Sequence, residues 1–179
     1  MMDGVVTAIV SACFTLLGGY VTVFVAERYR RYLDAQALAF SLFAEIKALA
    51  NGVVWEIDLH KKLASDADSP TGQIWLWAMP LRKLAVYESS LSKLGMLGEV
   101  SGSVVTTYTK MQDYDSAMFV LASNYKNGME KEEIVSRLEA LVRMATSLAQ
   151  SANIALNELD KLSKRRFSLV SAELRYGIG

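Results

Sequence analysis

Histidine and cysteine, the side chains most often used as nucleophiles and metal ligands, are rare in this sequence. His60 is the only histidine, and it stands beside Lys61 and Lys62. Cys13 is the only cysteine and lies within an apolar stretch. A zinc site needs several Cys, His or carboxylate ligands at suitable spacing, and a Cys/His nucleophile pair needs both groups in one place. We therefore expect His60 to be an ordinary surface histidine.

Carboxylates and glycines give no stronger signal. Asp66 and Asp68 start a loop of the calcium type, but Pro70 and the missing downstream Glu ligand break that pattern. Glu132 and Glu133 stand at a predicted helix start, where the helix dipole explains them. No Gly-x-Gly-x-x-Gly, Walker-type or Gly-x-Ser-x-Gly sequence is present. The sequence thus predicts no catalytic residue, metal, cofactor or small-molecule substrate, and we expect no enzyme.

The stretch from residue 4 to residue 26 contains no charged residue. About 20 apolar residues suffice to cross a bilayer core of about 30 Å, so this stretch predicts a transmembrane helix. The alternative is a cleaved signal peptide. The preceding residues contain no Lys or Arg, and Phe24 stands where a cleavage site needs a small residue. These features favour a retained anchor.

The residues around the stretch predict its orientation and a packing face. Cytoplasmic flanks are rich in Lys and Arg, and three arginines follow the stretch directly. We expect the N-terminus outside and the rest of the chain in the cytoplasm, at a bacterial inner membrane. Small residues recur every fourth position, which favours close helix association, although small residues are also simply common in such helices. This face consists of Thr7, Ser11, Thr15 and Gly19.

Helical spacing of apolar residues continues through the rest of the chain. The first helix is expected to extend the apolar stretch as a stalk to about Ala64, followed by a loop at Ser65–Gly72. Three further helices are predicted near Leu81–Leu97, Glu99–Tyr125 and Glu130–Ser163. The predicted fold is all-α, with an N-terminal transmembrane helix continuing into a roughly four-helix cytoplasmic bundle. Its parts are a tail (1–3), the transmembrane helix (4–26), the bundle domain (27–166) and a C-terminal tail (167–179).

The last helix has the most regular apolar pattern. Its apolar residues alternate in steps of four and three over four heptads, as in a coiled coil. An intramolecular bundle and an oligomeric coiled coil both fit, and three alanines favour the bundle. The seam consists of Ile134, Leu138, Leu141, Ala145, Leu148, Ala152, Ala155, Leu159 and Leu162.

Two further features each have two interpretations. Trp75 and Trp77 either cap the far end of the bundle or form an exposed patch for a partner or lipid. Glu45 lies near the apolar face of the stalk and is expected on an exposed flank, with a buried polar contact as the alternative.

Helix parity predicts that the end of the last helix returns towards the bilayer. The residues 167–170 (Phe-Ser-Leu-Val) follow a basic run, a composition that suits attachment to an anionic leaflet. A solvated basic helix end is the alternative. The predicted membrane-proximal basic residues are Arg28, Arg30, Arg31, Lys164, Arg165 and Arg166.

The layout resembles a class of small, uncharacterised single-pass membrane proteins of bacteria and phages. The resemblance covers about residues 20–125. It rests on Glu27-Arg28-Tyr29-Arg30-Arg31, Ala44-Glu45-Ile46-Lys47, Asn51, and Tyr87-Glu88-Ser89-Ser90-Leu91-Ser92-Lys93-Leu94-Gly95-Met96-Leu97. It implies a helical cytoplasmic domain and a bacterial setting, and supplies no catalytic residue.

These observations predict a non-enzymatic scaffold or adaptor that is anchored in the lipid bilayer. It would act as a homo-oligomer or by binding a cytoplasmic protein. The alternatives are an oligomeric effector that perturbs membranes in phage–host conflict and an accessory subunit of a larger membrane complex. A formal net charge of zero argues against a nucleic-acid partner, because such proteins normally carry a basic surplus.

Overall fold

The computed structural model describes residues 2–69, 74, 76 and 81–167. Within these residues the fold is all-α, as the apolar periodicity predicts, and contains no β-strand. Trp75, Trp77 and residues 168–179 lie outside the described residues. The elements in chain order are α1 (Met2–Asp68), α2 (Ala85–Ser90), a 3₁₀ helix (Leu91–Leu97), α3 (Val100–Tyr125) and α4 (Lys131–Ser163).

Helix α1 is one uninterrupted helix of 67 residues. At a rise of 1.5 Å per residue it is about 100 Å long. The predicted continuation of the apolar stretch into one long helix is confirmed, and this helix ends at Asp68 and not near Ala64. The predicted loop at Ser65–Asp68 is wrong, because these residues form the last turn of α1. Lys131 Nζ donates to the Asp68 carbonyl at 2.7 Å, so a lysine from α4 satisfies one of the carbonyls that every helix end exposes.

The helix predicted near Leu81–Leu97 is shorter and less regular than expected. Residues 81–84 are not helical, α2 has six residues, and a 3₁₀ helix follows it. The backbone N–H of Arg82 donates to Asp115 Oδ2 at 3.3 Å, which holds this non-helical segment against α3. Gly98 then ends the 3₁₀ helix with φ +60, a backbone conformation that glycine adopts without steric cost.

Helix α4 lies antiparallel to both long neighbours. Its first residue reaches the end of α1, whereas Gln36 near the middle of α1 donates to the Ser163 carbonyl at 2.8 Å. Lys110 of α3 donates to Ser147 and Ser151 of α4 at 2.9 and 2.7 Å. Between these contacts the heptad seam is covered within the chain by α1 and α3. From Ile134 to Leu159 every seam residue is buried, and Leu162 is half-buried.

The core begins at Leu38, so the first half of α1 contributes nothing to it. The largest fully buried side chains are Tyr108 and Tyr114 of α3, and the Tyr108 ring stacks on Tyr87 with centroids 3.9 Å apart. Helix α1 therefore has two parts with different surroundings: a part from residue 38 onward that is packed into the core and an earlier part that lies outside the core.

Candidate membrane interface and the polar core

The apolar beginning of α1 is uncovered. Every side chain that the structure describes between residues 4 and 24 is exposed. Of the described residues, one helix is long and apolar enough to cross a membrane, and it is α1. A continuous apolar surface of this extent is unusual on a soluble monomer. Its large exposed side chains are Val6, Val10, Phe14, Leu16, Leu17, Tyr20, Val21, Val23 and Phe24.

The hydroxyl groups in this stretch are satisfied by the helix itself. Thr15 donates to the Ser11 carbonyl at 2.9 Å, and Thr22 donates to the Gly18 carbonyl at 2.7 Å. Such internal bonds are what a hydrocarbon environment requires. Ser11, Thr15 and Gly19 are exposed, and a Cβ added at Gly19 would meet open space. The Thr7 side chain lies outside the described residues, and the packing face stays a prediction.

Cations and aromatic rings follow the apolar stretch. The Arg28 guanidinium lies 4.4 Å from the centroid of the Phe24 ring, and Arg31 pairs with Glu27 at 2.8 Å. Arg30 is exposed. Amphipathic rings beside cations are typical of the headgroup region of a membrane protein.

The end of α4 is fastened to this same part of α1. The Tyr32 hydroxyl donates to the Arg165 carbonyl, and Gln36 Nε2 donates to the same carbonyl at 2.8 Å. The Phe167 ring packs against Tyr29 and Tyr32, with centroid distances of 5.2 and 5.3 Å. Lys164, Arg165 and Arg166, all exposed, thus lie beside the residues that follow the apolar stretch. Contact with lipid stays a prediction.

A second candidate site is a charged cluster inside the helical domain. Arg82 Nη2 contacts both carboxylate oxygens of Glu56, at 2.8 and 2.6 Å, and Arg82 Nε lies 3.2 Å from Asp115 Oδ1. Both carboxylate side chains are only 11% exposed. Burial raises the pKa of the Asp115 carboxyl, and the Arg82 cation opposes that shift.

His60 belongs to this cluster, so the expectation of a surface histidine is wrong. The residue is 2% exposed, its Nε2 lies 3.0 Å from Met118 Sδ, and its Nδ1 lies 3.3 Å from the Tyr114 hydroxyl. Burial lowers the pKa of His60, against the opposing effect of Glu56. The sequence does contain a signal for this burial. Glu56 and His60 follow Val53 in steps of three and four, in phase with the apolar face of α1.

Glu45 is half-buried, so the expected exposed position is wrong, and the residue makes polar contacts of the kind that the alternative predicted. Its carboxylate accepts hydrogen bonds from the backbone N–H groups of Val86 and Tyr87, at 2.9 and 3.1 Å. It also accepts the Tyr108 hydroxyl at 2.6 Å. Burial, together with the Glu45 charge, raises the pKa of Tyr108. Glu45 of α1 therefore caps α2 from a different element.

The cluster is closed, and its groups use one another as partners. Among the described residues, no buried side-chain nitrogen or oxygen lacks a hydrogen-bond partner. No group of three metal-ligating side chains is found there either. A shallow groove of about 390 Å³ between α1 and α4 is lined partly by Phe43, Lys47, Asn153 and Leu156, none of which belongs to the cluster. The arrangement therefore fixes how α1, α3 and the segment before α2 pack against one another.

Comparison with protein-family models, with curated proteins and with solved structures finds no match to this chain.

Proposed function

We propose that this chain is a non-enzymatic scaffold or adaptor anchored in a bacterial inner membrane. Residues 4–26 cross the bilayer with the N-terminus outside, and the helical domain forms a cytoplasmic four-helix bundle. The observation that carries the proposal is an uncovered apolar helix that continues without a break into a packed helical domain.

The dimensions and flanks of the apolar stretch support the anchor. Its roughly 23 residues span about 35 Å as a helix, slightly more than a bilayer core of about 30 Å. Three arginines after the stretch favour a cytoplasmic domain, because cationic flanks are retained on that side. The resemblance noted above implies the same setting.

An exposed stripe on α1 supports binding of a second copy or of another helical protein. Its residues alternate in steps of four and three, with Lys47 at the one charged step, and Phe40 is 68% exposed. This spacing is that of a coiled-coil seam, and an Asn within such a seam selects the register and number of strands. Because α1 is one helix, two anchored copies would present the stripe at the same height. The exposed stripe consists of Leu33, Ala37, Phe40, Ala44, Asn51 and Val54.

The anchor is tested by alkaline carbonate extraction of bacterial membranes containing the full chain, followed by protease treatment of spheroplasts. We expect the protein to remain in the membrane fraction and its domain to be protected from protease. Release by carbonate would contradict the anchor. Digestion of the domain from outside would contradict the orientation only.

The scaffold role is tested by mass determination of the detergent-extracted complex. We expect a homo-oligomer, or a stoichiometric second protein, that is lost in Phe40→Asp. Phe119→Asp is the matched control, because Phe119 is also exposed, at 48%, but lies on α3. A monomer without a co-purifying chain, or equal loss in both variants, would refute the role of the stripe.

A further inference from the structure

We propose that the junction between α1 and the end of α4 binds the headgroups of anionic phospholipids. The helical domain then contacts the bilayer at two points, the apolar helix and this basic junction, defined as residues 27–36 and 160–167. This inference rests on the proposed membrane anchor.

Hydrogen bonds fix the height of the junction. The Arg165 carbonyl is held by Tyr32 and Gln36, which follow Ala26 by six and ten residues. At 1.5 Å per residue these positions lie roughly 9 to 15 Å beyond the end of the apolar stretch. A headgroup layer extends about 5–8 Å beyond the hydrocarbon on each side. At the level of Tyr32 an extended arginine side chain covers the remaining distance, so the cations there reach lipid phosphates.

The junction carries a net positive charge, whereas the chain as a whole is neutral. It contains seven lysines and arginines and three carboxylates. The rest of the molecule consequently carries a net negative charge. Two of the carboxylates are already paired within the junction, Glu27 with Arg31 and Asp160 with Lys164, both at 2.8 Å. The exposed Arg30, Arg165 and Arg166 have no carboxylate partner among the described ion pairs.

Aromatic residues complete an interfacial surface. Phe167 lies edge-on to Tyr29 at the same level as the cations. Basic residues next to aromatic rings are the combination that binds the surface of an anionic leaflet, each cation contributing up to about fivefold in affinity. The position directly after an apolar helix favours lipid over another polyanion, because the anchor holds the junction at the leaflet.

The test measures the preference of spin-labelled phosphatidylglycerol over spin-labelled phosphatidylcholine for the full chain in phosphatidylcholine bilayers. We expect a preference of about fivefold that shrinks at about 0.5 M salt, because salt screens the attraction. Lys164→Gln with Arg165→Gln and Arg166→Gln is expected to remove most of it. Lys61→Gln with Lys62→Gln and Lys126→Gln, which removes the same charge at the opposite end, is expected to retain it.

A variant that keeps every charge tests the structural part of the inference. Tyr32→Phe with Gln36→Leu removes the bonds that hold the end of α4, and we expect the preference to fall while the helical content measured by circular dichroism is unchanged. Equal affinity for both lipids, or an unchanged preference in the triple variant at 164–166, would overturn the lipid site while leaving the anchor intact. Absence of motionally restricted lipid altogether would overturn both.

Discussion

Replacing Arg82 with leucine is expected to lower the free energy of unfolding by about 3–5 kcal/mol, the usual cost of removing one partner from a buried charge network. Arg82 makes three close contacts to two carboxylates, at 2.6, 2.8 and 3.2 Å. The Glu56 and Asp115 side chains are 11% exposed, so water cannot replace the lost cation effectively. Two like charges would then remain buried side by side.

The pH dependence of this variant has a defined sign. Burial already raises the pKa of Asp115 above its unfolded value, and Arg82 is the cation that opposes this. Without Arg82 the folded state binds protons more readily than the unfolded chain, so stability is lost as pH rises through the raised pKa. The destabilisation is therefore expected to be larger near pH 7 than near pH 5. Carboxyl groups of the unfolded chain titrate below about pH 5, so they stay ionised throughout this range.

Urea unfolding of the full chain in micelles, followed by far-ultraviolet circular dichroism, measures both effects. Arg137→Leu, which breaks an ion pair on the exposed face of α4, is the control and should cost under about 1 kcal/mol. The combined variant Glu56→Leu, Arg82→Met and Asp115→Leu should be about as stable as the wild type, because it removes the charges together. A cost for Arg82→Leu no larger than that of the control would refute the reasoning.

Four further substitutions test other features of the fold. Glu45→Ala should cost about 2 kcal/mol in urea unfolding, since it removes a helix cap and a hydrogen bond to a buried hydroxyl, and a loss below 0.5 kcal/mol would contradict the cap. His60 has a lowered pKa, so the folded state resists protonation and stability is lost as pH falls below about 6.5. His60→Gln should weaken the dependence of the melting temperature on pH between about pH 7.5 and 5.5. An unchanged dependence on pH would assign the effect to other groups. Gly128→Ala should cost about 1 kcal/mol because φ is +86, whereas Gly52→Ala inside α1 should stabilise by a similar amount. Equal thermal shifts in the two glycine variants would contradict that contrast.

Apolar spacing alone predicts the long helices of this protein. The seam from Ile134 to Leu159 is buried as its heptad pattern indicates, and α1 continues from the apolar stretch because no residue there breaks a helix. Both predictions succeed because a helix buries one face, and the apolar residues of that face recur at helical spacing along the sequence. The return of α4 towards residue 36 was also predicted, from the parity of the helices along the chain.

The polar contacts were decided by tertiary structure. Glu45, Glu56 and His60 have partners on α2, α3 and the segment entering α2, which are separated from them by 26 to 63 positions in sequence. Asp68 was predicted in a loop for the same reason. The lysine that caps this helix end, Lys131, is distant in sequence and donates to the Asp68 carbonyl. A carboxylate or imidazole is stable inside a domain only when distant groups complete its hydrogen bonds. The periodicity of one helix shows which face is buried, but only the packed neighbours determine which polar residues that face can contain.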